Sequence, residues 1–228
     1  YTLSLHDALP ISYGDTADTP SISGAIDGIE VTYTYAVNNT TDFSPDRPVN
    51  AGDYTVKATI DGTANYNAAE ATSGFKISQK NINACDVTLD QTEYTYTEAE
   101  NKPAVTITNG SSTLALGTDY TVSYSDNVNA GEAKVTITGS GNYTGEKDVT
   151  FTINKADITP APTVSIDDWE YGSQPNSPTV STNPGGTPTY KYKLSSAADS
   201  AFSPTVPTEA GEYVVKAIIA QTQNYNSV

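Results

Sequence analysis

The same residue skeleton recurs three times along this chain. Each copy starts at a tyrosine, places a proline seven residues later and an apolar residue two beyond it, and then reaches an Ala-Gly pair, an alternating stretch and an Asn-Tyr pair. The anchors are Tyr13, Pro20, Ile22, Gly52 and Tyr66; Tyr96, Pro103, Val105, Gly131 and Tyr143; and Tyr171, Pro178, Val180, Gly211 and Tyr225. A fixed period indicates that each copy is one structural module, so function has to be explained for a repeated unit.

A period of about 79 residues divides the 228 residues into three modules. We expect them at residues 12–79, 80–156 and 157–228. The first continues after its Asn-Tyr pair to a Phe75-Lys76-Ile77 strand and the second to Phe151-Thr152-Ile153, whereas the third has no such strand. We therefore expect the middle module to be complete, the first to lack its native first strand and the third to lack its last strand.

Alternation of apolar and polar residues defines the regular stretches. The apolar positions after the three Ala-Gly pairs are Tyr54, Val56, Ala58 and Ile60; Ala133, Val135 and Ile137; and Tyr213, Val215, Ala217 and Ile219. A period of two with one apolar face is typical of antiparallel sheets that cover a core on one side. The sequence predicts a mainly β fold of three small antiparallel modules, with little or no helix. Links without Gly/Ser spacers, one of them containing Pro160 and Pro162, predict an elongated array.

The first eleven residues differ in character from the rest. Residues 2–11 resemble, letter for letter, one reading frame of a widely used short-read sequencing adaptor. We interpret residues 1–11 as an adaptor-derived artefact and leave them out of fold reasoning, as for a fusion remnant. The only histidine, His6, lies inside this segment and is given no functional weight.

Composition excludes several functions. The net charge is −16 and Arg47 is the only arginine, so a nucleic-acid backbone would be repelled. No apolar run is long enough to cross a membrane. Cys85 is the only cysteine, which rules out an intramolecular disulfide and, without a usable histidine, a thiol protease or a zinc site. We interpret Cys85 as a small residue near a module junction.

The repeated motifs resemble a known family. Tyr-Gly-Asp at 13–15 and Tyr-Gly-Ser at 171–173, each followed by Ala-Gly-x-Tyr-x-Val-Lys-Ala and Asn-Tyr-Asn, are similar to the Tyr-Gly-x type of MBG module. The middle module resembles a related module of large bacterial exoproteins, but Thr97 stands in the glycine place, so its first turn is expected to differ. The resemblance implies a small module of a bacterial cell-surface or secreted protein, either an Ig-like sandwich or a β-grasp-like sheet.

Aromatic residues are the first candidates for a binding site. The sixteen tyrosines could stack on sugars or cations. The paired tyrosines of each module, however, share a strand face with Val and Leu, which favours a role in the core and its rim. Trp169 occupies the slot that Tyr94 and Ile11 fill in the other modules, and this recurrence favours packing over a binding platform.

Polar clusters give no convincing site. Asp167-Asp168 and the Glu98/Glu100 pair are neighbours in sequence, whereas hydrolysis by two carboxylates needs them across a cleft. Residues 125–129, with Asp119, offer oxygen ligands but lack the spacing of a calcium loop. An isopeptide crosslink would need a buried lysine, and alternation places Lys57, Lys134 and Lys216 outward. We therefore predict no catalytic, cofactor-binding or metal-binding residues, and no cofactor.

These observations predict a non-enzymatic repeat segment of a bacterial surface or secreted protein. It would serve as a stalk or spacer that displays other domains, with neighbouring repeats as its partners and a contribution to adhesion. The alternative is an adhesin module that binds glycans or host proteins. A stalk predicts surfaces that differ between repeats, whereas a binder predicts a patch of exposed aromatic residues.

Overall fold

The computed structural model describes residues 11–16, 19–24 and 28–228, together with the backbone of residues 4–6. Nearly all regular structure in these ranges is β-strand, which confirms the predicted fold class. Two single turns of 3-10 helix accompany the strands, at Ile82–Ala84 and Asp199–Ala201.

The first module is built on a four-stranded sheet. Its strands, with the short strand that follows, are β1 (Ser4–His6), β2 (Ile11–Ser12), β3 (Ser21–Ser23), β4 (Thr32–Val37), β5 (Gly52–Ile60), β6 (Ala69–Ser78) and β7 (Lys80–Asn81). The sheet order is β2-β6-β5-β4, with β4, β5 and β6 antiparallel. Strand β2 runs parallel to β6, and β1 pairs with β3 in a separate ribbon.

The middle module contributes two sheets. Its strands are β8 (Asp86–Leu89), β9 (Glu93–Thr95), β10 (Val105–Asn109), β11 (Ser112–Thr113), β12 (Tyr120–Ser125), β13 (Gly131–Gly139), β14 (Tyr143–Thr144) and β15 (Glu146–Asn154). One sheet has the order β12-β13-β15-β9 and the other β11-β10-β8. Strand β9 is parallel to β15, as β2 is to β6, so a parallel strand beside an otherwise antiparallel sheet is a repeated feature.

The third module contains two antiparallel pairs. Its strands are β16 (Val164–Ser165), β17 (Thr179–Val180), β18 (Pro188–Leu194) and β19 (Tyr213–Ile219). Strand β18 pairs with β19, and β16 pairs with β17.

The predicted alternation matches the buried faces. Val56, Ala58 and Ile60 on β5 are buried, and so are the three apolar positions of β13. Ile219 is buried at the end of β19, while Val215 and Ala217 are half-buried. The apolar side chains of each strand therefore lie on the face that covers a core. Those of β19 are less completely buried than those of β5 and β13.

The first turn of each module begins at its leading tyrosine. Gly14 and Gly172 take nearly the same left-handed φ, +83° and +82°. In the middle module Glu98 takes the positive φ instead, at +69°, one position after Thr97. This confirms the expected difference in the first turn. Thr97 does not take the positive φ because a β-branched residue tolerates it poorly.

By compactness the chain divides into two units. The first contains residues 1–89, 105–123 and 136–149, and the second contains residues 90–104, 124–135 and 150–228. The junction between the first two modules lies within the first unit, and that between the last two lies within the second. The three module boundaries proposed from the sequence stay a prediction.

Candidate functional site

The junction between the first and second modules depends on one asparagine. Asn142 lies in the turn between β13 and β14. Its Oδ1 atom accepts the backbone N–H of Ala51 at 2.8 Å, and its Nδ2 atom donates to Oδ1 of Asn50 at 3.1 Å. Its backbone carbonyl accepts the N–H of Lys80 at 3.0 Å. The side chain of Asn142 thus binds the Asn50-Ala51 pair of the first module, the Asn-Ala edge. Its backbone binds Lys80, in the link that leaves the first module.

Tyr143 completes this junction with an aromatic contact. It is only 3% exposed, and its ring meets that of Tyr13 edge to face at 5.5 Å. Its backbone pairs in parallel with Lys80 through β14 and β7. Asn109 donates from Nδ2 to the Tyr143 hydroxyl at 3.4 Å. Burial raises the pKa of the Tyr143 hydroxyl above its ordinary value.

The second junction repeats the first with equivalent residues. Oδ1 of Asn224 accepts the backbone N–H of Ala130 at 2.9 Å, and its Nδ2 atom donates to Oδ1 of Asn129 at 3.0 Å. The N–H of Ala156 donates to the Asn224 carbonyl at 2.9 Å. The rings of Tyr96 and Tyr225 meet edge to face at 5.5 Å. Both junctions therefore use an Asn-Tyr turn of one module against an Asn-Ala edge and a leading tyrosine of the module before it.

A long side chain on each link adds to the contact. Gln79 donates from Nε2 to the carbonyls of Gly141 and Tyr143, at 2.9 Å and 3.3 Å. Lys155 holds the equivalent place and donates from Nζ to the Thr222 carbonyl at 2.8 Å and to Oε1 of Gln221 at 3.1 Å. Two different side chains thus make the same kind of bond to the following turn.

The remaining copies of these elements are exposed. In the first module the Asn-Tyr turn is closed by a bond from the Thr63 N–H to the Tyr66 carbonyl at 2.8 Å, and the docked turn has the same bond from Thr222 to Tyr225 at 3.0 Å. Tyr66 is nonetheless 51% exposed, and Tyr171, the leading tyrosine of the third module, is 73% exposed. The Asn-Tyr turn of the first module therefore has the same closing hydrogen bond as the docked turn, although its tyrosine is exposed.

The other tyrosines behave mainly as expected from their alternation. Tyr120 and Tyr192 are buried, and the Tyr120 hydroxyl donates to the Val105 carbonyl at 3.0 Å. The Tyr124 hydroxyl donates to the Pro103 carbonyl at 2.7 Å. Burial raises the pKa of Tyr192 and Tyr124. Rings in the core with hydroxyls satisfied at its rim support the packing interpretation.

The acidic and amide candidates are used in local structure. One carboxylate oxygen of Asp119 accepts the N–H of Ala115 at 2.8 Å. Asn127 is buried, where its Nδ2 atom donates to the Asn101 carbonyl at 3.0 Å and its own carbonyl accepts the Asn101 N–H at 2.8 Å. Among the described residues no group of three or more His, Cys, Asp or Glu side chains could hold a metal ion. Asn127 of the loop at residues 125–129 is thus held by hydrogen bonds with Asn101, which lies outside that loop.

Cys85 lies beside the first junction and is buried. It caps the 3-10 turn by donating its N–H to the Ile82 carbonyl at 3.0 Å, and its own carbonyl accepts Nζ of Lys147 at 2.7 Å. Burial is the main cause that raises the pKa of its thiol. A buried thiol with a raised pKa is a poor nucleophile, which supports the structural interpretation of this residue.

The strand lysines are not simply outward. Lys216 is exposed, but Lys57 is half-buried and its ammonium lies 4.5 Å from the ring centre of Phe43. Lys216 and Lys193 lie 5.7 Å and 5.4 Å from the ring centre of Phe202. Strict alternation missed these contacts because a long lysine stem can lie along a neighbouring aromatic ring.

The junction was not predicted from the sequence as a site. Its signal was present, because the Asn-Tyr and Ala-Gly pairs recur in every module, but a repeated motif does not say which other motif it touches.

No helix in the described ranges is long and apolar enough to span a membrane.

Comparison with known proteins identifies the module type. The sequence pattern described as the MBG domain matches residues 2–81 and 163–228, which together make up more than half of the chain. The matched range includes the adaptor-like residues and both Tyr-Gly modules. No curated protein and no solved structure is significantly similar to the chain. MBG domains are repeat modules of cell-surface proteins. The chain belongs to the MBG domain family.

Proposed function

We propose that this chain is a non-enzymatic stalk segment of a bacterial surface or secreted protein, which holds other domains away from the cell. One observation carries the proposal: the same junction occurs twice, with the same bonds from an Asn-Tyr turn to an Asn-Ala edge. A repeated junction with fixed hydrogen bonds sets each module at a defined angle to the next. A spacer needs this property, and an enzyme does not.

The surroundings of the junctions favour stiffness. Each link passes directly into a parallel contact with the following turn, Lys80 with Tyr143 in one junction and Ala156 with Tyr225 in the other. A link whose backbone is hydrogen-bonded to the following turn where it leaves its module is less free to act as a hinge. The high negative charge adds solubility and disfavours lateral clustering of copies.

Small-angle X-ray scattering on the chain tests this proposal. A compact domain of this length would have a radius of gyration of about 17 Å. We expect a clearly larger value, and a further change when Asn142 and Asn224 are both replaced by alanine, because the junctions then lose their fixed angle. A value near 17 Å would rule out the stalk.

A second candidate function is adhesion through exposed aromatic residues. Tyr66 and Tyr171 are exposed, and an aromatic face can stack on a sugar or on a host protein side chain. Binding to a glycan array or to host matrix proteins, lost in Tyr66→Ala or Tyr171→Ala, would favour this function. Extracellular exposure is common to both candidates, and protease shaving of intact cells that carry the parent protein would test it.

A further inference from the structure

In the middle module an early strand and the last strand run parallel, side by side. Strand β9 pairs with β15, with Glu93–Thr95 opposite Thr152–Asn154. The chain reaches β9 from the side of the first module and leaves β15 towards the third. Tension along the chain therefore pulls the two strands past each other, in opposite directions along their length.

The direction of pulling decides how the hydrogen bonds between two strands fail. When opposite ends of a parallel pair are pulled, its evenly spaced bonds lie across the force and share the load. When the same ends are pulled apart, the bonds carry the load one after another and break in sequence. The same set of bonds therefore resists more force in the first geometry, which is the geometry of β9 and β15 in a stretched chain.

Backbone hydrogen bonds close this pair at both ends. The N–H of Thr152 donates to the Thr92 carbonyl at 2.9 Å, and the N–H of Tyr96 donates to the Asn154 carbonyl at 2.9 Å. Strand β15 has β13 on its other side. Because β15 is held between two strands, β9 is the element that has to slide for the pair to open.

Apolar side chains cover one face of the pair. Tyr94 is half-buried, and its ring meets the Phe151 ring edge to face at 5.5 Å. Phe151 and Ile153 are buried. A slip of β9 by one residue would turn Tyr94 away from Phe151, since successive side chains point to opposite faces of a sheet. Packing therefore resists the same movement as the hydrogen bonds.

The bond at the end of this pair recurs in the first module. There the N–H of the leading Tyr13 donates to the carbonyl of Ser78, in the last strand, at 2.8 Å. The Tyr13 ring also meets the ring of Tyr143 in the following module. Tyr96 combines the same two kinds of contact in the middle module. The parallel pair is therefore continuous with the junction to the next module.

We propose that β9 and β15 form a mechanical clamp, which keeps the middle module folded while the chain is under tension. The clamp rests on the proposed stalk function for its use in the cell, because a stalk is pulled along its length when the domain that it displays is held. A force measurement is independent of the scattering experiment, so the clamp and the stalk can fail separately.

Optical tweezers on the whole chain test the clamp through the direction of pulling. The buried Cys85 is replaced by alanine, and DNA handles are attached to cysteines at exposed positions. Thr92→Cys with Asn154→Cys pulls opposite ends of the pair, whereas Thr92→Cys with Thr150→Cys pulls the same ends. The two variants enclose nearly equal lengths of chain, and both load β9 without first opening the pair between β8 and β10.

The unfolding force should be at least about twofold higher when opposite ends are pulled, because several bonds then share the load. Forced unfolding reports the unfolding rate along the pulled direction, so two variants of equal thermal stability can differ in this way. Equal forces in the two geometries, or a higher force for the same-end variant, would overturn the proposal.

A side-chain variant separates the clamp from general stability. Tyr94→Ala removes the ring that packs on Phe151, and it should lower the ratio of the opposite-end force to the same-end force. Ile107→Val is the control, since Ile107 is buried on β10 in the other sheet, and it should lower the thermal transition without changing this ratio. A ratio that Tyr94→Ala leaves unchanged, or that Ile107→Val lowers as much, would show that the resistance does not come from the clamp.

Discussion

The Oδ1 atom of Asn142 accepts the backbone N–H of Ala51 at 2.8 Å across 91 positions of sequence. This bond joins a turn of one module to the edge of the module before it. The bond from Ala130 to Asn224 repeats it in the next junction at 2.9 Å. The two modules at each junction are thus coupled by a specific polar contact as well as by the chain itself.

Removing this contact should lower stability. We expect Asn142→Ala to reduce the free energy of unfolding by about 1–2 kcal/mol, because a partly buried backbone N–H loses its acceptor. Asn65→Ala is the matched control, since it removes the same side chain from the exposed turn, and it should change stability by less than about 0.5 kcal/mol. Urea unfolding measures both. An equal loss in the two variants would place the effect in the turn and not in the junction.

The tyrosine pair of the first junction should show a measurable coupling. In a double-mutant cycle of Tyr13→Ala and Tyr143→Ala we expect an interaction energy of about 0.5–1.5 kcal/mol, the range for edge-to-face rings. The same cycle with Tyr13 and Tyr66 should give a coupling near zero, because Tyr66 is exposed on its turn. Additive losses for Tyr13 and Tyr143 would contradict the contact.

Gly145 packs against the first junction and should not accept a side chain. Its φ is +85°, and a Cβ there would lie 2.8 Å from Oδ1 of Asn81, which accepts the N–H of Asn83. Gly117 has the same φ with no atom within 4 Å of such a Cβ. We expect Gly117→Ala to cost about 1–2 kcal/mol from backbone strain alone, and Gly145→Ala to cost clearly more in thermal unfolding. Equal costs would show that Asn81 moves away freely.

Stability should fall in alkaline solution. The folded pKa of Tyr143 is raised by burial above its ordinary value of 10.0. Its contribution is therefore fully present below about pH 10 and is lost as the pH rises through the folded pKa, because the unfolded state ionises first. Tyr143→Phe should make this fall shallower in urea unfolding at a series of pH values. An unchanged alkaline slope in Tyr143→Phe would contradict the assignment.

The adaptor-like segment offers a simple deletion test. Removal of residues 1–11 should leave the thermal transition unchanged or slightly raised if the segment is an artefact. The structure pairs Ile11 with Ile77 in parallel, so a fall of several degrees would show that this short strand stabilises the first module. Calorimetry separates these two outcomes. Residues 1–3 and 7–10 lie outside the described part of the chain.

Sequence reasoning recovered the parts of the fold that depend on local pattern. The alternation on β5 and β13 predicted strands with one buried face, and the glycine at 14 and its absence at 97 predicted different first turns. These features follow from side-chain period and from backbone sterics at single residues, both of which a sequence displays directly.

The parallel strands and the junctions were not predicted, for a different reason. Ile11–Ser12 and Glu93–Thr95 are too short to show a period, and they pair with distant residues, Ile11 with Ile77 and Glu93 with Thr152. The bond between Asn142 and Ala51 joins two motifs that both recur, so either could have faced solvent. Tertiary pairing decides such contacts, and pattern alone does not reveal it.

The two halves of each junction come from different parts of a module, and this has an evolutionary consequence. Every module carries a leading tyrosine, an Ala-Gly pair and an Asn-Tyr turn, and the third has Glu209 where the first two have Asn50 and Asn129. An in-frame gene duplication therefore copies both halves of the junction together, the edge with its leading tyrosine and the Asn-Tyr turn that binds them. Each added module then has both halves. An array of this kind can change its number of modules by recombination without acquiring a new type of interface.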